Sequence, residues 1–226
     1  MGSVRHPLTC PVRPMSPSEL IAILQRHESF LNREFGALPA NFTMQKLSGV
    51  DLTDVNLRGA KLTGAILDRA ILCRANLADT DMYACNLHRA DLTEAILSGA
   101  DLRGAFLRGA DLSFADLKGA DMRTGTLWAQ APGSKHLVPV RHVPDDDADS
   151  RANLRGANMK GTRMSRSIVV QVDLTGAKLA SADLMRAKIN DGNLTLTDLR
   201  NANLAGADMT NVNLCDADLA GAKLPV

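Results

Sequence analysis

The sequence predicts an all-β repeat solenoid with one α-helix in front of it and one long loop inserted in it. Three observations carry that fold class. From near Ala40 a small residue, usually Ala, recurs every five positions, and a Leu, Met or Phe stands two places after each. A period of five is neither the 3.6 of a helix nor the 2 of a strand, and it points to stacked repeats. Aromatic residues make up only 3% of the 226 residues. That suits a core of stacked Ala and Leu, not one of mixed large side chains. Finally, the beat lapses once. Leu127 and Leu154 are 27 positions apart, which is not a multiple of five, so a true insertion separates two repeat blocks.

The elements follow in chain order. Residues 1–15 hold Pro7, Pro11 and Pro14 without periodicity and are expected to form a flexible tail. Ser16-Pro17-Ser18-Glu19 is a helix start: Ser16 caps, Pro17 suits the first helical position, and Glu19 completes a capping box. Leu20, Ile23, Leu24, His27, Leu31 and Phe35 continue at helical spacing, and Gly36 ends the run. A helix over 17–35, within a capping segment 16–38, would cover the open first coil of the solenoid.

The first repeat block is 39–129. Its units are like Ala60-Lys61-Leu62-Thr63-Gly64, with central residues from Phe42 and Leu47 to Met122 and Leu127. Residues 130–151 contain Pro132, Pro139 and Pro144, His136 and His142, and the acidic run Asp145-Asp146-Asp147. They are expected to form an irregular projecting loop. The second block, 152–226, has centres from Leu154 to Leu224.

Within a unit the central Leu is expected to fill the interior, stacked on the Leu twenty residues away. The small residue two places earlier also points inward, where Ala90, Thr80, Cys85, Val172 and Gly192 fit; Gln45 does not, and predicts an irregular first coil. Gly at the third corner position permits the positive φ of a type II turn. Asp or Asn before the central Leu can bond to nearby backbone.

These units resemble the pentapeptide-repeat family, whose repeat is A(D/N)LXX, over about four-fifths of the chain. The resemblance implies a right-handed quadrilateral β-helix, four units to a coil. About eight coils, spaced by about 4.8 Å, would make a rod of about 40 Å. It also implies that the regular Asp and Asn residues are structural. The end at Ala222-Lys223-Leu224-Pro225-Val226 has no cap in the sequence. It predicts either a homodimer packed end to end through the C-terminal coil or a piece of a longer signalling or effector protein.

Composition narrows the function. The net charge is +1, from 26 basic and 25 acidic residues, so nothing draws the whole chain to nucleic acid or an anionic membrane. No stretch is apolar enough to span a bilayer, and Met1–Cys10 has no apolar core of a signal peptide. Cys10, Cys73, Cys85 and Cys215 form no CxxC pair. Free thiols in a reducing cytoplasm are expected.

Folding the first block on a twenty-residue coil collects Lys46, Arg69, His88, Arg89 and Arg108 against Asp68 on one side. The next side collects Asp51, Asp54, Asp91, Glu94 and Asp111 against Arg74. A basic strip beside an acidic one suits a partner of complementary charge; an ordinary solvated surface is the alternative. Ile66, Ile71, Ile96 and Phe106 stand where Asp or Asn is usual, and Ile66 and Phe106 share a side. They read as a contact patch or as scattered exposed side chains. Trp128, Lys135, His136, Arg141 and His142 lie in or beside the insertion, a place where rigid scaffolds carry function. The Asp145, Asp147, Asp149 alternation lacks the Gly and closing Glu of a calcium loop, so no metal is expected. His27 reads as a packed cap residue, not a base.

No phosphate loop, nucleophile motif or zinc spacing is present, and neither an enzyme nor a cofactor is expected. The reading is a non-catalytic scaffold that binds another protein through a rigid β-helix surface and a projecting loop. Its candidate residues are Trp128, Lys135, His136, Arg141, His142, Ile66, Phe106, Arg69, Arg89 and Arg108. The family resemblance implies an alternative, a DNA mimic that binds gyrase. The balanced charge speaks against it.

Overall fold

Asp or Asn before the central Leu pairs in parallel with the residue one coil on, and this builds the fold. The computed structural model describes residues 15–123, 128–130, 137–139 and 152–225, with backbone alone for 128–130 and 137–139. Four ladders of single parallel bridges give the coil four sides. The first side carries Asn41, Lys61, Asp81, Asp101, Asp121, Arg163, Asp183, Asn203 and Lys223. The second carries Lys46, Ile66, Asn86 and Phe106, and later Ile168, Lys188 and Asp208. The third runs through Asp51, Ile71, Asp91, Asp111 and Asn153, and the fourth through Asn56, Asn76, Ile96, Asp116 and Asn158. Each side is one bridged residue wide, because the chain turns a corner after every central Leu. The stack is therefore a β-helix of bridges, not of extended strands.

Hydrogen bonding explains why five residues suffice. The Leu62 N–H donates to the Asp81 carbonyl (2.7 Å), the Ile66 N–H to the Gln45 carbonyl (2.9 Å), and the Ala65 N–H closes the corner on the Leu62 carbonyl (2.9 Å). One bond links to the coil above, one to the coil below, and one makes the turn, so the interior holds few orphan polar groups. The corner residue before each small residue has positive φ. Gly64 at +63° is the low-strain choice, yet Arg69, Arg89, Phe114 and Leu196 adopt the same conformation. The Asx slot works as its chemistry predicts. Asp51 Oδ1 accepts from the Thr53 N–H (3.0 Å) and Thr53 hydroxyl (2.6 Å), and Asp91 does the same with Thr93.

The core is a column of Leu, Met and Ala. Leu67, Leu87, Leu97, Ala75 and Ala95 are all fully buried. The small inward slot also takes Thr80, whose hydroxyl donates to the Leu77 carbonyl (2.7 Å), and Cys85, whose thiol donates to the Leu62 carbonyl (2.8 Å). Gln45 is half-buried, yet its N–H closes the corner on the Phe42 carbonyl (2.9 Å) and its carbonyl accepts the Ile66 N–H, so the first coil, expected to be irregular, keeps the regular bonding pattern.

Helix α1 spans Pro17–Leu31 and has the complete capping box: the Glu19 N–H donates to Ser16 Oγ (3.3 Å), and the Ser16 N–H to Glu19 Oε2 (2.9 Å). Met15, Leu20, Ile23 and Leu24 pack on the coil core. The helix ends four residues short of the expected 35. Arg33 takes positive φ (+58°) and breaks it, so Phe35 leaves the apolar face and is fully exposed. His27 is the docking residue. Its ring is buried and stacks on Phe30 with centroids 5.6 Å apart, and its Nδ1 accepts the Ala40 N–H (3.0 Å).

The insertion interrupts the bridges without disturbing their phase. The register step is 20 residues for Asp101 to Asp121 and 42 for Asp111 to Asn153. The segment therefore holds 22 residues more than one coil uses. Within it, where an irregular loop was expected, β1 (Trp128–Gln130) pairs antiparallel with β2 (Leu137–Pro139), Trp128 opposite Pro139.

Candidate partner-binding surface

The twenty-residue register places Ile66, Asn86 and Phe106 in one column of the second side, each bridged to the next. Ile66 and Phe106 are half-buried in slots that Asp or Asn occupies elsewhere. Arg69 and Arg89 occupy equivalent corners of successive coils. Both have φ of +54°, and the Arg69 N–H donates to the His88 carbonyl and the Arg89 N–H to the Arg108 carbonyl. Arg108 follows on the next coil, and Lys46 begins the column. Five sequence-predicted residues, Ile66, Phe106, Arg69, Arg89 and Arg108, therefore stand together.

His88, expected as part of the basic strip, is corrected by the structure. It is buried, its Nδ1 lies 2.9 Å from Asp68 Oδ1, and its ring tilts against Phe106 at 5.9 Å. An imidazole beside a half-buried carboxylate and an aromatic ring serves as packing, not as surface charge. The same contact takes up Asp68, the carboxylate among those strip residues.

The aspartates of the acidic third side are hydrogen-bonded within the coil. Thr53 hydrogen bonds hold the Asp51 carboxyl below its ordinary range. Arg74 lies 2.7 Å from both Asp54 oxygens and lowers Asp54 in the same way. Ser113 donates its N–H and hydroxyl to Asp111. On the first side, Asp121 is nearly buried, which by itself raises its carboxyl. Hydrogen bonds from Arg123 (2.7 and 2.9 Å) outweigh that and lower it overall.

Described coil residues run to Arg123, at the end of the first side, and resume at Ala152, just before Asn153 on the third. The insertion thus falls at the second side, beside Phe106. A cavity of about 450 Å³ lies there, lined by Phe106, Leu107, Arg108, Arg123, Ser167 and Ile168 among others. The Ser167 hydroxyl is buried and has no hydrogen-bond partner among the described residues, and Ile168 and Val170 are exposed. Sequence reasoning missed this cavity. Ile168 and Val170 in outward slots were its signal. Lys135, His136, Arg141 and His142 lie outside the described residues, and Trp128 is described in backbone only. The structure therefore does not place their side chains against the strip. Among the described residues no group of His, Cys, Asp or Glu could hold a metal, and no helix is long and apolar enough to cross a membrane.

The bridge ladders, the Asx turns and the Leu column define a repeat β-helix whose chemistry lies in its surface. The chain belongs to the pentapeptide repeat family: the family described as Pentapeptide repeats matches in eight copies, over residues 46–89, 85–123, 150–191 and 193–225. Among solved structures, it is similar to HetL, a pentapeptide repeat protein involved in heterocyst differentiation regulation from the cyanobacterium Nostoc sp. strain PCC 7120. The identity is 28% over 80% of this chain and 77% of that one, with a TM-score of 0.59. Alr5209, a pentapeptide repeat protein from Nostoc PCC 7120, is 30% identical over 51% of this chain and 84% of that one, with a TM-score of 0.42. QnrB1, a plasmid-mediated fluoroquinolone resistance protein, is 16% identical over 79% of this chain and 91% of that one, with a TM-score of 0.41. Comparison with curated protein sequences gives no significant match.

Proposed function

We propose that the chain is a non-catalytic protein–protein interaction scaffold. It is a right-handed quadrilateral β-helix that presents its second side and the insertion to another protein. One observation carries the reading: the register puts Ile66, Phe106, Arg69, Arg89 and Arg108 into one strip at the side where the insertion falls. Arg and aromatic side chains are the usual anchors of interfaces, and a rigid stack loses little freedom on binding. A regulatory role would suit such a surface, as HetL is involved in regulating differentiation.

In this reading 1–15 is a tail, 16–38 a cap, 39–129 and 152–226 the two coil blocks, and 130–151 the projecting loop of a cytoplasmic protein. We extend it to a homodimer through the C-terminal coil, whose Leu224 is exposed. The balance of 26 basic and 25 acidic residues does not favour a duplex-DNA mimic.

Replacing 130–150 by a short flexible linker tests the reading. The far-ultraviolet circular dichroism is expected to stay unchanged, while affinity capture of the native partner is lost. Undiminished capture, or collapse of the β signal, would overturn it.

A further inference from the structure

Resting on the scaffold reading, we infer that the second side takes a five-residue extended segment of a partner protein as an added rung of the stack, in the pattern small-X-Leu-X-Gly. Two facing edges define the slot. On the first side Asp121 bridges Asp101 on one coil and Arg163 on the other, and on the third Asn153 bridges Asp111 and Asp173. The coils of Asp101 and Arg163 are therefore two steps, about 9.6 Å, apart. One strand laid between them has the usual spacing from both. On the second side these two coils present residues 105–109 and 168–170 to each other. Ala105, Leu107 and Val169 are only half-buried there, whereas Ala65, Leu67, Leu87, Ala187 and Ile189, their counterparts on the same side, are fully buried. Behind them lies the cavity of about 450 Å³, with Leu102, Leu107, Met122 and Val169 in its wall.

Hydrogen bonding defines the occupant. Where this side is closed, three bonds join successive rungs. The Leu67 N–H donates to the Asn86 carbonyl (2.8 Å), the Arg69 N–H to the His88 carbonyl (2.8 Å), and the Asn86 N–H to the Ala65 carbonyl (2.9 Å). On the lower edge of the slot the corresponding groups are the Leu107 and Gly109 N–H groups and the Ala105 carbonyl. On the upper edge they are the Ile168 N–H and the Ile168 and Val170 carbonyls. None of these six groups has a hydrogen-bond partner among the described residues. A parallel five-residue segment answers all six, in a one-unit form of β-augmentation. Its first carbonyl accepts the Ile168 N–H. Its second residue donates to the Ala105 carbonyl and accepts the Leu107 N–H. Its third N–H donates to the Ile168 carbonyl, its fourth carbonyl accepts the Gly109 N–H, and its fifth N–H donates to the Val170 carbonyl.

The side chains follow from the same register. The first residue takes the crowded inward slot and is small. The third enters the cavity between Leu107 and Val169 and is Leu. The fifth takes the positive φ of the corner, +68° at Gly109, and is Gly. Ser167 refines the first choice. The inward hydroxyls of Thr80, Thr162 and Thr197 all donate to carbonyls. That of Ser167 lines the cavity, buried and without a partner among the described residues. It stands one rung above the segment's first residue, where a Ser would pair with it. The chain's own residues in this register are 125–129. Trp128 and Ala129 are held in β1 against Pro139 and Val138, so the segment comes from the partner.

The probe is a fluorescent peptide of about ten residues with Ser-Asn-Leu-Thr-Gly at its centre, read by anisotropy against the full chain. Expected are saturable binding below about 1 mM and amide exchange at Leu107, Gly109 and Ile168 slowed at least about tenfold in the complex. The reversed sequence, Gly-Thr-Leu-Asn-Ser, keeps the composition, loses the parallel register and binds at least about tenfold more weakly. A peptide with Asp in place of Leu does the same. Ser167→Ala weakens the Ser peptide at least about threefold and leaves a peptide with Ala in its first place unchanged, with the circular dichroism unaltered. No saturable binding, equal binding of the reversed peptide, no effect of Ser167→Ala on the Ser peptide, or unslowed exchange at the three amides would overturn the inference. Leu127→Asp tests the chain's own residues as the occupant. Unchanged peptide affinity is expected, and binding seen only in that variant would overturn the partner's place in the slot. If the peptide fails while capture of the native partner still depends on 130–150, the scaffold reading stands and only the added rung falls.

Discussion

The five-residue unit assigns a separate physical task to nearly every side chain, and Cys85 shows how strictly. It sits where Ala is usual, fully buried, with its thiol donating to the Leu62 carbonyl at 2.8 Å. Burial pushes that thiol far above its ordinary range. The thiolate is the reactive form, so Cys85 is chemically silent while the coil is closed. Cys215 is exposed, and its thiol is raised chiefly by its hydrogen bond to the neighbouring Asp216. A thiol reagent added to the native protein at mildly alkaline pH is expected to modify Cys215 and leave Cys85 untouched until denaturant is added. Site-resolved mass spectrometry checks this, and early labelling of Cys85 would mean that its coil opens locally. At this scale the sequence was highly legible: Asp51, Asp91 and Asp111 form the Asx contacts that their slot implies. His88 was not, because its burial depends on Asp68 and Phe106, each about a coil away in sequence. Corner residues such as Phe114 were also opaque. A bulky side chain at φ +59° contradicts local preference, and its ring lies over Gly156, the glycine one coil on, where a Cβ would come within 2.8 Å.

Among the elements, α1 depends on one imidazole for its seat. His27 Nδ1 must be unprotonated to accept the Ala40 N–H, and burial lowers the pKa of the ring below the ordinary imidazole value. The folded chain therefore binds this proton less readily than the unfolded chain, and stability rises with pH through the window. The contribution of the neutral ring is complete above about pH 6.5 and is lost as pH falls from there towards the lowered folded value. Thermal unfolding followed between pH 7.5 and 5.5 is expected to show a falling midpoint. His27→Gln, which keeps an acceptor without a charge change near neutrality, is expected to flatten that slope. An unchanged slope would place the titration elsewhere. The start of α1 was legible from Ser16, Pro17 and Glu19. Its end was not, since Phe35 continues the apolar spacing beyond the point where Arg33 turns the backbone. The hairpin of β1 and β2 was not read from the sequence, although Pro132-Gly133 between Trp128-Ala129-Gln130 and Leu137-Val138-Pro139 is a turn signal between two short β-prone runs. The density of prolines and charges around it concealed that pattern.

At the scale of the whole molecule, the sequence made the stack plain and left its surface to be read by folding the chain on twenty. That operation puts Ile66 and Phe106 in one column, as the bridges do. It could not find the cavity beside Phe106, which depends on where the insertion interrupts a coil. The same register has a further consequence. Every five-residue unit carries its own Leu and Ala, so the interior accepts any unit at any side, and position on the outside is only a residue's count around the cycle. Removing 75–79 would leave every remaining Leu a place in the interior yet turn everything downstream by a quarter of the circumference. Arg89 would leave the corner it shares with Arg69, and Asp68 would lose His88. Such a shortened chain is expected to keep its circular dichroism and cooperative unfolding while its partner capture disappears; retained capture would mean that the strip is not the contact. Removing a full twenty instead shortens the rod and returns each downstream residue to its old direction. Insertions and deletions in this protein thus act as rotations, and a lineage can reassort its outer face by changes in length without altering a single core contact type.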